Sequence, residues 1–267
     1  MSKIIFLGTA GDSTVVSRQL RASGGIVLQL EGVQFHIDPG PGALVRAKEY
    51  GVNPHQTTAV LVSHHHINHC SDLNAMVEAM THGGIEHRGL VLASKSVLSP
   101  QEDIFPILTK HHQALVEKII PVEKNHKVGI EFVEIHTLAA DHTDPTAVGF
   151  KFFCPRFTVS YTGDTAYSDL LVEQLQGTDI LILNVPYPGS TGKNKHLDVE
   201  AATRIILGVH PHIAILTHFG WEMLKNDPLA ISRDVQRLTG IPTIAATDGF
   251  SLSPENYRFP RSPVLGY

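Results

Sequence analysis

Thr58-Ala59-Val60-Leu61-Val62-Ser63-His64-His65-His66-Ile67-Asn68-His69-Cys70-Ser71-Asp72 is the stretch on which the reading of this chain turns. Its first six residues form an apolar run of strand length, and Asp72 to Thr81 has the spacing of an amphipathic helix. A short buried strand therefore delivers four histidines into the loop that precedes a helix. His64 and His66, two apart, leave the strand end on one side, and His69 stands near the start of the next helix, so three imidazoles can converge on one point. Neutral imidazole is a favoured ligand of zinc, and of iron or manganese in mixed nitrogen and oxygen sites, so the chemistry expected is that of a divalent metal. The competing reading is a histidine-rich surface loop. The flanking strand and helix and the further ligand candidates downstream weigh against it.

Upstream, Ile4 to Leu7 reads as a strand, and Ile26–Leu30 and Val33–Ile37 read as two more, joined by the hairpin signal Glu31-Gly32. The second runs into the rigid turn Asp38-Pro39-Gly40-Pro41-Gly42, ahead of a helix from Ala43 to Tyr50 that stops at Gly51. Asp38 thus falls at a strand end, either as a turn or cap residue or as a carboxylate that orients a ligand histidine. Arg18 and Arg21 read as solvated surface residues, with anion binding as the alternative.

Downstream, Leu90–Ser94 is a strand, Pro100–Lys118 has helical periodicity with a kink expected at Pro106, and Ile130–Leu138 alternates as a half-exposed strand does. That strand leads to His142, the next candidate ligand. Strands over 147–153 and 157–161 end in Thr162-Gly163-Asp164-Thr165, which places a carboxylate at a strand end; by itself Gly-Asp would be an ordinary turn. The last third alternates strand and helix: 179–185, 198–209, 213–217, a helix opened by Asp227-Pro228 and closed by Gly240, and 243–247. Between the first two, composition predicts a mobile loop, Pro186 to Lys195, that delivers His196 and could wall a substrate pocket.

With 267 residues, 42% hydrophobic and 18% charged, 22 Gly and 16 Pro, the chain reads as a soluble globular protein, taken here as a single domain over 1–267. A formal charge of −5 argues against a broad electrostatic grip on nucleic acid. The two cysteines, Cys70 and Cys154, lack CxxC spacing and are too few for a disulfide framework, so a cytoplasmic location is expected, with Cys70 a small packed side chain. No segment approaches the apolar length of a membrane span or a signal-peptide core. Several of the 17 histidines lie outside any motif, and His111 and His112 are expected on a solvated helix surface.

The histidine loop resembles the HxHxDH signature of the metallo-β-lactamase superfamily, with His142, Gly163-Asp164 and Leu216-Thr217-His218 matching its later motifs in order. The resemblance covers nearly the whole chain and implies an α/β fold, a four-layer αββα sandwich of two mixed β-sheets with one or two metals at one edge. Within the superfamily the chain is most similar to ribonuclease Z-type phosphodiesterases, through Phe6-Leu7-Gly8-Thr9, Ile37-Asp38-Pro39-Gly40 and His196-Leu197-Asp198-Val199-Glu200-Ala201-Ala202.

The likeness implies that His64, His66 and His142 hold a first metal, that His69 and His218 hold a second, and that Asp164 bridges them. It makes His196 the group that stabilises the transition-state oxygen or protonates the leaving group. One position departs: Asn68 stands where the family has the aspartate of its signature, at a position belonging with His196 to the catalytic set. Asparagine offers a neutral carbonyl oxygen instead of a negative charge, so the second metal is expected to bind more weakly. Asp248, in Thr247-Asp248-Gly249, is either a turn residue or the missing carboxylate.

The function implied is a metal-dependent hydrolase, zinc first and iron or manganese as alternatives, acting on a phosphodiester or other small molecule. Processing of transfer RNA is less favoured, because no long basic Gly/Pro-rich insertion and no positive net charge are present. A metal-binding or assembly protein without turnover is the reading from another class. Exposed helices are compatible with a homodimer.

Overall fold

The computed structural model describes residues 2–100, 105–189, 195–257 and 259. Two seven-stranded sheets organise them. In the first, β1 (Lys3–Gly8), β2 (Ser23–Leu30), β3 (Val33–Ile37), β4 (Thr57–Val62), β5 (Leu90–Ser94) and β6 (Lys118–Val122) lie in chain order, and Ser251–Leu252 closes the β1 edge. The second runs in chain order through β7 (Lys127–Ile130), β8 (Val133–Ala139), β9 (Val148–Phe153), β10 (Thr158–Tyr161), β11 (Ile180–Asn184), β12 (Ile213–Thr217) and β13 (Thr243–Ala245).

Both sheets follow one plan. Antiparallel pairing from β1 to β3 gives way to parallel pairing from β3 to β6, and antiparallel pairing from β7 to β10 gives way to parallel pairing from β10 to β13. Parallel neighbours need crossovers, which puts helices on the outer faces. Ala43–Glu49 and Leu73–Met80 cover the first sheet, and Asp169–Gln174, Val199–Val209 and Pro228–Thr239 cover the second.

Strand alternation sorts the side chains between the layers. In β4, Ala59 and Leu61 enter the core between the sheets with Phe6, Phe35, Phe150 and Phe152, while Val60 and Val62 pack outward on Leu73, Met76 and Met80. In β11, Ile180 and Ile182 face the inter-sheet core, and Leu181 and Leu183 face Ala202, Ile205 and Ile206. The result is the expected four-layer αββα sandwich. The expected hairpin also forms, with Glu31 at φ 49° and Gly32 at φ 85°, as a two-residue turn with both central residues left-handed requires.

Two segments differ from the sequence reading. The Pro100–Lys118 tract, of which 101–104 lie outside the described residues, follows a short helix, Lys95–Leu98, carries a second, Lys110–Gln113, and runs into β6. β6 is an edge strand of the kind that tolerates a proline such as Pro121. The Ile130–Leu138 run is divided between β7 and β8, because Glu131 takes φ 51° and turns the chain with Phe132 as a hairpin. Residues 190–194 of the loop expected to be mobile also lie outside the described residues. Among the described residues, no helix is long and apolar enough to cross a membrane.

Candidate metal centre

The strand ends of both sheets meet at one edge. Asp38 follows β3, the histidine loop follows β4, His142 follows β8, Asp164 follows β10, Asn184 ends β11 and His218 follows β12. Sequence-distant side chains are thereby gathered into two groups that could hold metal ions: His64, His66, His142 and Asp164, and His69, Asp164 and His218. Asp164 belongs to both.

In the first group His66 Nδ1 lies 2.9 Å from His64 Nε2 and 3.1 Å from His142 Nε2, and Asp164 Oδ2 lies 3.8 Å from His64 Nε2 and 4.0 Å from His142 Nε2. In the second, His69 Nε2 and His218 Nε2 are 2.9 Å apart, and Asp164 reaches them at 3.4 Å through Oδ2 and 3.3 Å through Oδ1. Ligands about 2.0–2.1 Å from a tetrahedral zinc stand about 3.3 Å from one another, so these spacings are those of donors around an ion.

The far side of each ring decides whether its inner nitrogen can bind. His69 Nδ1–H donates to Asp38 Oδ2 at 2.9 Å, and His142 Nδ1–H donates to the Lys195 carbonyl at 3.0 Å. Ser63 Oγ donates to Asp38 Oδ2 at 2.7 Å, so toward His64 Nδ1, 2.9 Å away, it accepts. Each arrangement occupies the outer nitrogen and turns Nε2 inward, where it offers a lone pair once the imidazole is neutral, as metal-binding histidines require. The residues present therefore fit a divalent ion.

Asp38 is the anchor of this edge. Besides Ser63 Oγ and His69, its Oδ2 accepts the Tyr161 hydroxyl at 2.8 Å, and its Oδ1 accepts the Ser63 amide at 2.7 Å. Both Asp38 (φ 51°) and His218 (φ 61°) adopt left-handed backbone, a strain retained where the surroundings impose it. Gly11 lets one such approach occur, since a Cβ there would lie 2.1 Å from the His218 carbonyl oxygen.

Electrostatics follow from burial around two carboxylates. Burial pushes His218 down to about 3 and His66 to about 4, and with the neighbouring imidazoles it holds His64 well below its ordinary value. His69 is the exception: burial opposes its charge, but Asp164 and Asp38 outweigh it and raise the imidazole to about 10. Asp164 is held well below the carboxylate range, because His218 and His69 overcome its burial. Without a metal, a proton on His69 thus partly balances Asp38 and Asp164.

His196 stands beside the centre. Its Nδ1 is buried, 3.7 Å from Asp164 Oδ2, without a hydrogen-bond partner among the described residues, and its ring lies edge-on to His142 at 4.9 Å. Burial lowers its pKa, so it is neutral at pH 7. Asn68 is at the rim of the second group, where Nδ2 donates to the Gly11 carbonyl at 3.1 Å and lies 3.3 Å from His218 Nε2.

Asp248 does not reach the centre. It accepts the Thr9 amide and hydroxyl and the Ala22 amide, and so fixes the β1–β2 connection. Cys70 packs as expected, its thiol donating to the His65 and His66 carbonyls. Arg18 lies over Trp221, 5.9 Å from the ring centroid.

Two partners, Asn184 and Asp144, were not singled out from the sequence. Asn184 Nδ2 donates to Asp164 Oδ1 at 2.7 Å and to the Tyr161 hydroxyl at 3.0 Å, linking the shared carboxylate to the Asp38 anchor. Asp144 accepts from the His65 amide and ring, Ser96 Oγ and the Thr146 amide, tying two ligand-bearing loops together. A polar residue closing an otherwise apolar strand, as in Ile180-Leu181-Ile182-Leu183-Asn184, was the available signal.

Paired mixed sheets, helices on both outer faces and an edge of imidazoles around one carboxylate define the metallo-β-lactamase fold. The chain belongs to the β-lactamase superfamily: the model of the "Beta-lactamase superfamily domain" matches residues 34–219. It is 30% identical to an uncharacterized protein of Methanocaldococcus jannaschii over 96% of this chain and 97% of that one. To a ribonuclease Z of Pyrobaculum neutrophilum it is 36% identical, over 81% of this chain and 86% of the other.

Among solved structures, the metallo-β-lactamase fold protein YhfI of Bacillus subtilis superposes with a TM-score of 0.76 at 18% identity, covering 94% of this chain and 98% of that one. A diphosphatase from the PhnP family superposes at 0.70 and 18%, covering 94% and 96%. The chain is thus a metal-dependent hydrolase of this superfamily with ribonuclease Z-like similarity.

Proposed function

We propose that this protein hydrolyses phosphodiesters, with His64, His66 and His142 holding one divalent ion, His69 and His218 a second, and Asp164 shared between them. The observation that carries the reading is the position of Asp164, within 4.0 Å of inward-facing nitrogens of both groups. A bound divalent ion, zinc by this donor set, supplies Lewis acidity and lowers the pKa of a coordinated water toward neutrality. The chain's own residues do the rest. Asp38 fixes the His69 tautomer, Ser63 fixes that of His64, and Asn184 holds Asp164 in place. His196, a neutral imidazole, donates a hydrogen bond to charge that develops on the substrate or its leaving oxygen.

The test is hydrolysis of bis(p-nitrophenyl) phosphate by metal-free protein reconstituted with zinc, manganese or iron. Turnover that depends on metal and falls on His196→Ala supports the reading. Inactivity in all three metals, on this substrate and on lactones and thioesters, favours a binding protein. A second reading, transfer-RNA 3′-end processing, draws on the 36% identity to a ribonuclease Z. Cleavage of a precursor transcript at its discriminator end would establish it.

A further inference from the structure

Away from the centre, the helix Leu73–Met80 carries a second set of metal-ligating side chains. Glu78 Oε1 lies 3.3 Å from His112 Nε2 and 3.5 Å from His111 Nε2, and the three ligand atoms all fall within 4.8 Å of one another. Both imidazoles therefore approach one carboxylate oxygen at about the 3.3 Å separation of two ligands on a tetrahedral ion.

The support around these residues is already built. Asn74, one turn before Glu78, donates Nδ2–H to the Ile107 carbonyl at 2.8 Å and accepts the Thr109 amide on Oδ1 at 3.1 Å, which clamps the histidine-bearing segment to the helix. Thr109 caps the short helix Lys110–Gln113, accepting the His112 amide at 3.3 Å, and its Oγ1 lies 2.6 Å from His112 Nδ1. The Thr109 hydroxyl holds the far side of the His112 ring and so aims Nε2 at Glu78. Because this helix has a single turn, consecutive rings can both close on Glu78, and His111 is 70% exposed at the solvent side.

We propose that Glu78, His111 and His112 form a peripheral site for a borderline divalent cation such as Zn²⁺, which ties the 109–113 segment to the helix Leu73–Met80. Two imidazoles and one carboxylate are a known zinc donor set, and the exposed side leaves a fourth position for water. Ions bound only by the folded state would stabilise it. The site is independent of the hydrolytic centre, so it survives or fails separately from the proposed activity.

The experiment is equilibrium dialysis against ZnCl₂ with elemental analysis, on wild type, Glu78→Gln, Asp164→Ala and the double variant. Glu78→Gln preserves side-chain length and touches none of the Asn74 or Thr109 clamps. The expected result is one zinc equivalent fewer in Glu78→Gln than in wild type, and likewise one equivalent fewer, or one site at least tenfold weaker, in the double variant than in Asp164→Ala. The zinc-dependent rise in Tm should be smaller in the double variant than in Asp164→Ala. Equal zinc content and equal Tm shifts with and without Glu78→Gln would mean an ordinary surface ion pair and overturn the proposal.

Discussion

Replacing Asn68 by Asp should tighten the second metal. Asp38 and Asp164 together carry two negative charges, which balance one divalent ion once His69 has given up its proton, and a second ion finds no matching charge. Asn68 Nδ2 sits 3.3 Å from His218 Nε2, the spacing of two ligands on one ion, so a carboxylate oxygen there would lie at or next to the coordination shell. A unit negative charge about 4 Å from a divalent ion is worth roughly 8 kcal/mol at an effective dielectric constant of about 20. Against this stand several kcal/mol for desolvating the carboxylate, and roughly 1–3 kcal/mol for replacing the Asn68–Gly11 hydrogen bond by a repulsive oxygen pair.

A net gain of about 1.5–3 kcal/mol corresponds to roughly ten- to a hundredfold tighter binding. Calorimetric titration of the metal-free protein with ZnCl₂ should show the second affinity rising by that factor while the first changes little. The metal-free variant should also have a lower Tm than metal-free wild type, because it buries a further unpaired charge. An unchanged or weaker second affinity would refute the charge argument and mean that Asn68 does not face the ion.

Other substitutions separate the roles of the remaining residues. Asp164→Ala should abolish tight binding at the His69–His218 position and weaken it at the His64–His66–His142 position, as seen by metal analysis after dialysis. His196→Ala should lower kcat on bis(p-nitrophenyl) phosphate by roughly 10²–10⁴-fold with unchanged metal content at the centre. Loss of metal instead would make His196 a ligand. Metal uptake should release a proton, since His69 is raised to about 10 and must be neutral to bind; affinity should then rise by about tenfold per pH unit between pH 6 and 8, checked in buffers of different ionisation enthalpy.

Asp144→Ala should cost about 2–4 kcal/mol, a Tm fall of roughly 5–15 °C, because it strands the buried Ser96 hydroxyl and the part-buried amides of His65 and Thr146. The Asp144 carboxyl is held down at about 2 by those hydrogen bonds, against its burial. Its contribution is therefore complete above the ordinary carboxylate value of 3.8 and lost as pH falls toward 2. A wild-type acid-unfolding curve that coincides with that of Asp144→Ala would contradict this.

What the sequence by itself determined was local: the strand before the histidine loop, the Glu31-Gly32 hairpin, the Asp227-Pro228 helix start and the order of the candidate ligands. Each rests on periodicity, turn chemistry or ligand spacing within a few residues, which the chain carries without its fold. The site residues themselves were identified by resemblance as much as by spacing, and Asn68 stood out because it departs from the resembling motif.

Tertiary structure decided the rest, because the deciding contacts join residues far apart in the chain. Asn184 reads as the end of an apolar strand until β11 comes beside β10 and sets its amide on Asp164. Asp248 was an open candidate until Thr9 and Ala22 claimed both of its oxygens. His111 and His112 looked like solvated helix surface, and only the packing of their segment on the helix Leu73–Met80 brings both rings to Glu78. Periodicity tells which face of an element is buried, but not which polar group from another element will stand opposite it.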